Sequence, residues 1–182
     1  MGQKHDFPMA KIIWSRYNIH KYSFCLWKVC IGKLPTYNLL MKWNQQLQAP
    51  WCVLCHDQLE TQTHLFCLCQ FIQSVLQNVL SVMRIPGLII ENLHIKRVWK
   101  KLKSDINRKV LSLCIARITY HLWQERNIRR FQNQERHVNK VTEYCLHIIG
   151  SRTQYVANVT RKEKTRMALA DYVTKAMTTS SS

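Results

Sequence analysis

Hydrophobic positions repeat every three to four residues along much of the chain, which is the spacing of amphipathic helices. The longest repeat lies after residue 105. Its members are Val110, Leu113, Cys114, Arg117, Ile118, His121, Leu122 and Glu125. Leu111, Ile115 and Trp123 widen this stripe, so a long and largely buried helix is predicted. A second long helix is predicted over 135–159. Its inward positions would be Val138, Val141, Tyr144, Cys145, Ile148 and Ile149.

Shorter apolar runs in the N-terminal half predict short helices. One is expected within 9–17 and another within 20–31, the latter with Phe24, Trp27, Val29, Cys30 and Ile31 at near-helical spacing. Gly32 is a natural stop for the second helix, and Thr36 is placed to cap a third helix. The apolar face of that third helix would carry Leu39, Leu40 and Trp43.

Another helix is predicted after Cys69, and Pro86-Gly87 would end it. A weaker helical pattern covers 90–102, and a short helix is possible within 161–182 before a Ser/Thr end expected to be disordered. Strand-like alternation is lacking. The predicted units are therefore 10–85, a helical extension over 86–160, and a basic or polar tail over 161–182.

Basic residues dominate the charge of this chain of 182 residues. Lys and Arg number 27 against 10 Asp and Glu, a formal net charge of +17. Between Lys96 and Arg166 there are eighteen basic and five acidic residues, so most of the excess lies in the C-terminal half. Such an excess predicts attraction to polyanions, meaning nucleic acid or an anionic membrane surface.

The first residues lack the apolar segment of a signal peptide, and no apolar run approaches about 18 residues. We therefore expect no membrane partner and an intracellular location, in the nucleus or the cytoplasm. The basic runs KRVWKK and RKEKTR are weak indicators of a nuclear address. In that setting the eight cysteines would be reduced thiols or metal ligands rather than disulfides.

The segment CVLCHDQLETQTHLFCLC, residues 52–69, concentrates four cysteines and two histidines. Cys52 and Cys55 form a CxxC pair, and His64 with Cys69 would complete a tetrahedral Cys3His set that suits zinc. Four protein ligands close the site, so the ion would be structural. Two alternatives stay open at this point, a thioredoxin-like redox pair and cysteines that only fill a core.

Two further residues compete as ligands in this segment. Cys67 lies in an apolar run two residues before Cys69, which favours a place in the core. His56 directly follows Cys55, where ligation would strain the turn. We expect neither to bind the ion.

The flanking motifs resemble the zinc-binding domain at the C-terminal end of reverse transcriptases of plant LINE-type (non-LTR) retrotransposons. The resemblance rests on GKLPTYNLLMKW, CVLC, ETQTHLFCLC and YHLWQERNIRRF, in this order. It covers residues 14–155 or so and implies the same four zinc ligands. It also implies a mostly α fold, with a small zinc-stapled helical N-terminal half followed by two long C-terminal helices. A reverse transcriptase is the partner that it suggests.

No enzyme is expected. The chain has no Y-x-D-D or F-x-D-D motif and no adjacent pair of acids, whereas two-metal phosphoryl transfer needs several convergent carboxylates. The predicted function is a non-enzymatic module that binds RNA or DNA through phosphate contacts. The predicted contact residues are Arg126, Arg129, Arg130, Arg136 and Lys140.

Three alternatives accompany that prediction. Arg126 and Asn127 are equally suited to bracing the two long helices, whereas Arg129 and Arg130 are expected to face solvent. In the second alternative, the whole module is a zinc-stabilised scaffold that binds another protein. A degenerate retroelement fragment without a cellular role is the third possibility.

Overall fold

A computed structural model describes residues 9–43, 50–84, 105–158, 160 and 163–178. Its helices are α1 (Ala10–Ile13), α2 (His20–Cys30), α3 (Tyr37–Lys42), a π-helical turn (His64–Leu68), α4 (Gln70–Val82), α5 (Asp105–Gln132), α6 (Val138–Asn158) and α7 (Glu163–Thr178). The described residues contain no strand, only an antiparallel bridge between Trp51 and Leu59. The mostly α prediction is confirmed. The helix predicted over 90–102, the break at Pro86-Gly87 and the Ser/Thr end lie outside the described residues.

The apolar stripe of α5 forms the centre of the fold. All eight stripe positions named above are buried, the polar Arg117, His121 and Glu125 among them. One face of α5 packs against α2 and α1, and other faces pack against α6 and α7. α4 packs against α6, so both halves of the described chain contribute to one continuous hydrophobic core. The boundary predicted between residues 85 and 86 stays a prediction, since 85–104 lie outside the described residues.

α2 ends as predicted, at a glycine with a positive φ. Gly32 has φ of 69°, its N–H donates to Val29 O, and Lys33 N–H donates to Lys28 O. These two bonds form a Schellman motif, which satisfies carbonyls left open at the helix end. The chain thereby turns towards α3 and the cysteine segment.

α3 begins after Thr36 as predicted, but the Thr36 side chain makes no capping hydrogen bond. Instead Tyr37 N–H donates to Glu60 Oε1 at 2.8 Å, so a carboxylate from the cysteine segment caps this helix. A negative group at a helix N-terminus also opposes the positive end of the helix dipole.

The inward face of α2 differs from the predicted one. Tyr22, Cys25 and Leu26 are buried, whereas Phe24 is 49 % exposed. Trp43, expected on the inner face of α3, is also exposed. Near-helical spacing alone did not distinguish the buried side of these short helices from the side that faces solvent. None of the described helices is long and apolar enough to span a bilayer.

Candidate metal centre

Four side chains from the cysteine segment converge on one point. The ligand atoms of Cys52, Cys55, His64 and Cys69 all lie within 4.8 Å of one another. Cys52 Sγ and Cys69 Sγ are 3.9 Å apart, and Cys55 Sγ lies 3.3 Å from His64 Nε2. Tetrahedral zinc with Zn–S bonds of about 2.3 Å requires sulfur atoms about 3.8 Å apart, so these separations fit.

A tight turn positions the first two ligands. His56 N–H donates to Cys52 O at 2.8 Å, and His56 has φ of 58°, which closes the CxxC turn. The N–H groups of Leu54 and Cys55 donate to the Cys52 sulfur. Cys52 N–H donates in turn to Gln58 O, which fixes the base of the turn. Sulfur ligands supported by backbone donors are typical of structural zinc sites.

Cys69 lies at the junction between the π-helical turn and α4. It is the residue that precedes the first turn of α4, and the N–H groups of Phe71 and Ile72 donate to its sulfur. These are backbone donors that a helix N-terminus leaves without an intrahelical partner. The helix thus stabilises a thiolate at this position.

His64 presents Nε2 to the site because its other ring nitrogen is already bonded. Nδ1 lies 3.1 Å from Gln58 Oε1, and the Nδ1–H tautomer leaves the Nε2 lone pair for a metal. Burial lowers the pKa of His64 below its ordinary value, which favours the neutral ligand form. The role of Gln58 could not be predicted from the sequence, since a glutamine six residues before His64 forms no recognisable motif with it.

The Cys52 and Cys69 thiols share one hydrogen bond, with 3.9 Å between the sulfurs. This bond lowers the pKa of Cys69, which favours its thiolate, and raises that of Cys52. Both residues are fully buried, and all eight cysteines are free of disulfides. The donor set of three sulfurs and one imidazole nitrogen fits one structural zinc ion.

Residues 1–75 match the family of zinc-binding domains in reverse transcriptase. The matched segment contains all four converging ligands and ends within α4. The family is a zinc-binding domain rather than a catalytic one. No curated protein and no solved structure matches the chain.

The two competing residues lie outside the converging set. The exposed His56 imidazole lies 3.5 Å from a carboxylate oxygen of Glu135, and Cys67 is half-buried. The converging set thus contains Cys52, Cys55, His64 and Cys69 and neither competing residue.

A buried carboxylate joins the zinc-binding segment to α5. Glu60 accepts hydrogen bonds from Arg126 Nε at 2.9 Å and from Arg126 Nη2, and it pairs with Arg130 Nη2 at 3.2 Å. Burial opposes ionisation of Glu60, but the bonds from Arg126 outweigh it and lower the pKa. The pair lies inside the protein, since Glu60 and Arg126 are 0 % and 1 % exposed.

Two arginines of α5 also bind carbonyls of the metal turn. Arg130 Nη2 donates to Trp51 O at 2.8 Å, and Arg129 Nη1 lies 3.4 Å from Val53 O. Arg129 Nε donates to Glu125, and the same carboxylate accepts from Arg136 Nε at 2.6 Å. We call these contacts, together with the Glu60 pair, the arginine clamp.

The arginine clamp contains four of the five residues predicted to contact nucleic acid. The side chains of Arg129 and Arg130 are only 6 % and 9 % exposed, so the expectation that they face solvent is wrong. Arg126 takes the bracing role, and it also donates to Asn127 Oδ1. Arg136 is partly exposed, and Lys140 is exposed at 72 % and pairs with Glu143. The buried partner of Arg126 could not be predicted from the sequence, because Glu60 lies 66 residues before it.

Proposed function

We propose that this chain is a non-enzymatic zinc module, derived from a LINE-type reverse transcriptase, that binds RNA or DNA through a basic helical surface. The zinc site and the family match support the module. The formal charge of +17 supports a polyanionic partner. A location in the nucleus or the cytoplasm, beside a polymerase of that type, is part of the proposal.

The observation that carries the proposal is the set of cations that lack a carboxylate partner. Lys21 and Lys28 contact aromatic rings, and Arg152 contacts a backbone carbonyl and a ring. No salt bridge involves any of these three among the described residues. Their charge is therefore available to phosphates, unlike that of the arginine clamp.

Binding of this kind gives affinity without base readout. Each phosphate contact releases counterions, so affinity falls steeply as salt rises. Binding to phosphates requires no open coordination position on the zinc ion, which agrees with a site of four protein ligands.

The test is titration of labelled single-stranded RNA and DNA with the zinc-loaded protein, at about 50 and 200 mM salt, by fluorescence anisotropy. We expect binding at the lower salt that weakens by tenfold or more at the higher. Absence of salt-sensitive binding at low ionic strength would contradict the proposal.

A protein-binding scaffold is the second candidate, and exposed apolar residues beside the zinc turn favour it. Trp51 and Leu59 face each other across the antiparallel bridge and are 51 % and 55 % exposed. Leu68, in the π-helical turn, is 60 % exposed. Co-purification of a reverse transcriptase that is lost in Trp51→Ser would favour this candidate over nucleic acid.

A further inference from the structure

We propose that the exposed side of α2 and the neighbouring Tyr17 form a binding surface for single-stranded nucleic acid, in which lysines and arginines contact phosphates and exposed rings stack on bases. This inference rests on the proposed function and assigns it to a surface on which none of the sequence-predicted contact residues lies.

One part of the surface is a stripe along α2. Lys21, Phe24, Lys28 and Ile31 follow one another by three, four and three residues, so they share one side of the helix. Lys21 and Phe24 are exposed and Lys28 is half-buried. We call these four residues the α2 face. Its two lysines lie about 10 Å apart along the helix axis.

The lysines of the α2 face lie on aromatic rings. Lys21 Nζ is 5.0 Å from the centre of the Tyr22 ring and 5.2 Å from that of Tyr120. Lys28 Nζ is 5.0 Å from the centre of Phe24, whose ring also lies 5.5 Å from that of Trp27. Such contacts hold an ammonium group near the surface without neutralising it. The face therefore presents charge and ring surface together.

The second part surrounds Tyr17, in the turn before α2. Arg16 and Lys109 lie over its ring at 5.0 and 5.5 Å. Arg152 Nε donates to Tyr17 O and stacks on Tyr155, which is 54 % exposed. We call these five residues the Tyr17 cluster. The turn before α2, together with α5 and α6, thus brings cations and rings to one area around Tyr17.

A buried arginine lies between the two parts. Arg117 contacts Asn18 and Leu113 O through Nη1 and stacks on Tyr22, but its Nε and Nη2 have no hydrogen-bond partner. The charge of Arg117 also acts on Arg152. None of the described residues places a carboxylate in a salt bridge with Arg117, so its guanidinium adds to the positive potential of this area.

The rings favour a single strand over a duplex. Phe24 and Tyr155 are about half exposed, and a base can stack on such a ring only when its own face is free. In a duplex the base faces are covered by their neighbours, so only the phosphates remain for the cations. Aromatic rings between cations are the usual arrangement of proteins that bind single strands without sequence preference.

The test compares three variants of the zinc-loaded full chain on single-stranded and duplex RNA of equal length, by anisotropy. Lys21→Gln/Lys28→Gln should lower the slope of log affinity against log salt by about 1.4 for a single strand. Phe24→Leu should weaken single-strand binding by about fivefold or more and leave duplex binding unchanged. Zinc content and far-UV circular dichroism establish that each variant is folded.

The control is Lys42→Gln/Arg84→Gln, which removes two exposed charges outside the α2 face and the Tyr17 cluster. It should change the slope by less than half as much. If the native chain binds nucleic acid but both double variants lose affinity equally, the surface is wrong and the proposed function stands. If the native chain binds nothing, the proposed function itself fails. Equal effects of Phe24→Leu on the two RNA forms would overturn the stacking role.

Discussion

The two ends of α5 place the same kinds of residue in opposite settings. Near its C-terminus, Arg126, Arg129 and Arg130 are buried against Glu60, Glu125 and the carbonyls of the zinc turn. Nearer its N-terminus, Lys109 lies over the ring of Tyr17, and Lys21 of α2 lies over the rings of Tyr22 and Tyr120. The basic motif RNIRR, residues 126–130, thus forms contacts inside the protein. A cluster of basic residues therefore indicates a binding surface only when its side chains are known not to be paired inside the protein.

The cost of removing a charge from water explains why the buried arginines and the cations near the surface have different kinds of partner. Burying an arginine is costly unless a carboxylate or several acceptors lie beside it, because an isolated charge is unfavourable inside a protein. The zinc turn offers carbonyls that point at α5, and Glu60 supplies the countercharge. The α2 side offers rings instead, which suit cations that remain near water.

The largest effect should come from a zinc ligand. Cys52→Ser removes a sulfur ligand, so the ion and the folding energy that it supplies should be lost, roughly 10 kcal/mol in small zinc domains. Metal analysis should show about one equivalent of zinc in the native chain and none in the variant. Near-UV circular dichroism should lose the signal of the N-terminal half.

Cys67→Ser is the control for that experiment and should keep the zinc, since Cys67 lies outside the converging set. Retained stoichiometry in Cys69→Ser would show that another group is the fourth ligand and that the geometry described above is wrong.

Breaking the arginine clamp should have the next largest effect. Glu60→Gln leaves Arg126 and Arg130 buried without their countercharge, which typically lowers the free energy of unfolding by about 3–5 kcal/mol. Urea denaturation measures the loss. Glu143→Gln, which breaks the exposed pair with Lys140, should cost less than about 1 kcal/mol.

The same variant gives a pH dependence with a defined sign. The pKa of Glu60 is below its ordinary value of 4.5 when folded, so its stabilisation is complete above that value and falls as the pH drops through it. The difference in unfolding free energy between the native chain and Glu60→Gln should therefore shrink in acid. Acid release of zinc affects both proteins, so the difference isolates Glu60. A difference that grows in acid would contradict the assignment.

The smallest effect should come from the lysines of the α2 face. Lys21→Gln/Lys28→Gln should change the free energy of unfolding by less than about 0.5 kcal/mol per site, because neither lysine forms a salt bridge with a buried carboxylate of the described residues. Urea denaturation compares this variant with Glu60→Gln. A loss as large as that of Glu60→Gln would show that the α2 face and the arginine clamp do not differ as described.

The spacing of hydrophobic residues along the chain was sufficient to predict the long helices and the buried stripe of α5, including the polar Arg117 and Glu125. Ligand spacing was sufficient to identify Cys52 and His64. These predictions rest on local geometry, in which each residue's position follows from its neighbours along the chain. The Schellman end at Gly32 belongs to the same class.

The remainder depends on contacts between distant segments. Whether Arg129 meets solvent or the carbonyl of Val53, 76 residues earlier, is decided by how α5 packs on the zinc turn. The exposed position of Phe24 depends likewise on which side of α2 meets α5. The spacing of apolar residues does not distinguish the buried side of a short helix from its exposed side, because both sides carry apolar residues at helical spacing.

The arginine clamp also has a consequence for the length of chain that the metal site needs, since the ligands lie in one segment and the side chains that hold the metal turn lie in another. A fragment cut after residue 75 would retain every ligand, yet the carbonyls of its metal turn and the carboxylate of Glu60 would lose their arginine donors. Shortening the protein to the segment that matches the zinc-binding family would therefore leave an incomplete tertiary unit. A recombinant piece that keeps the arginine clamp must extend past Arg136.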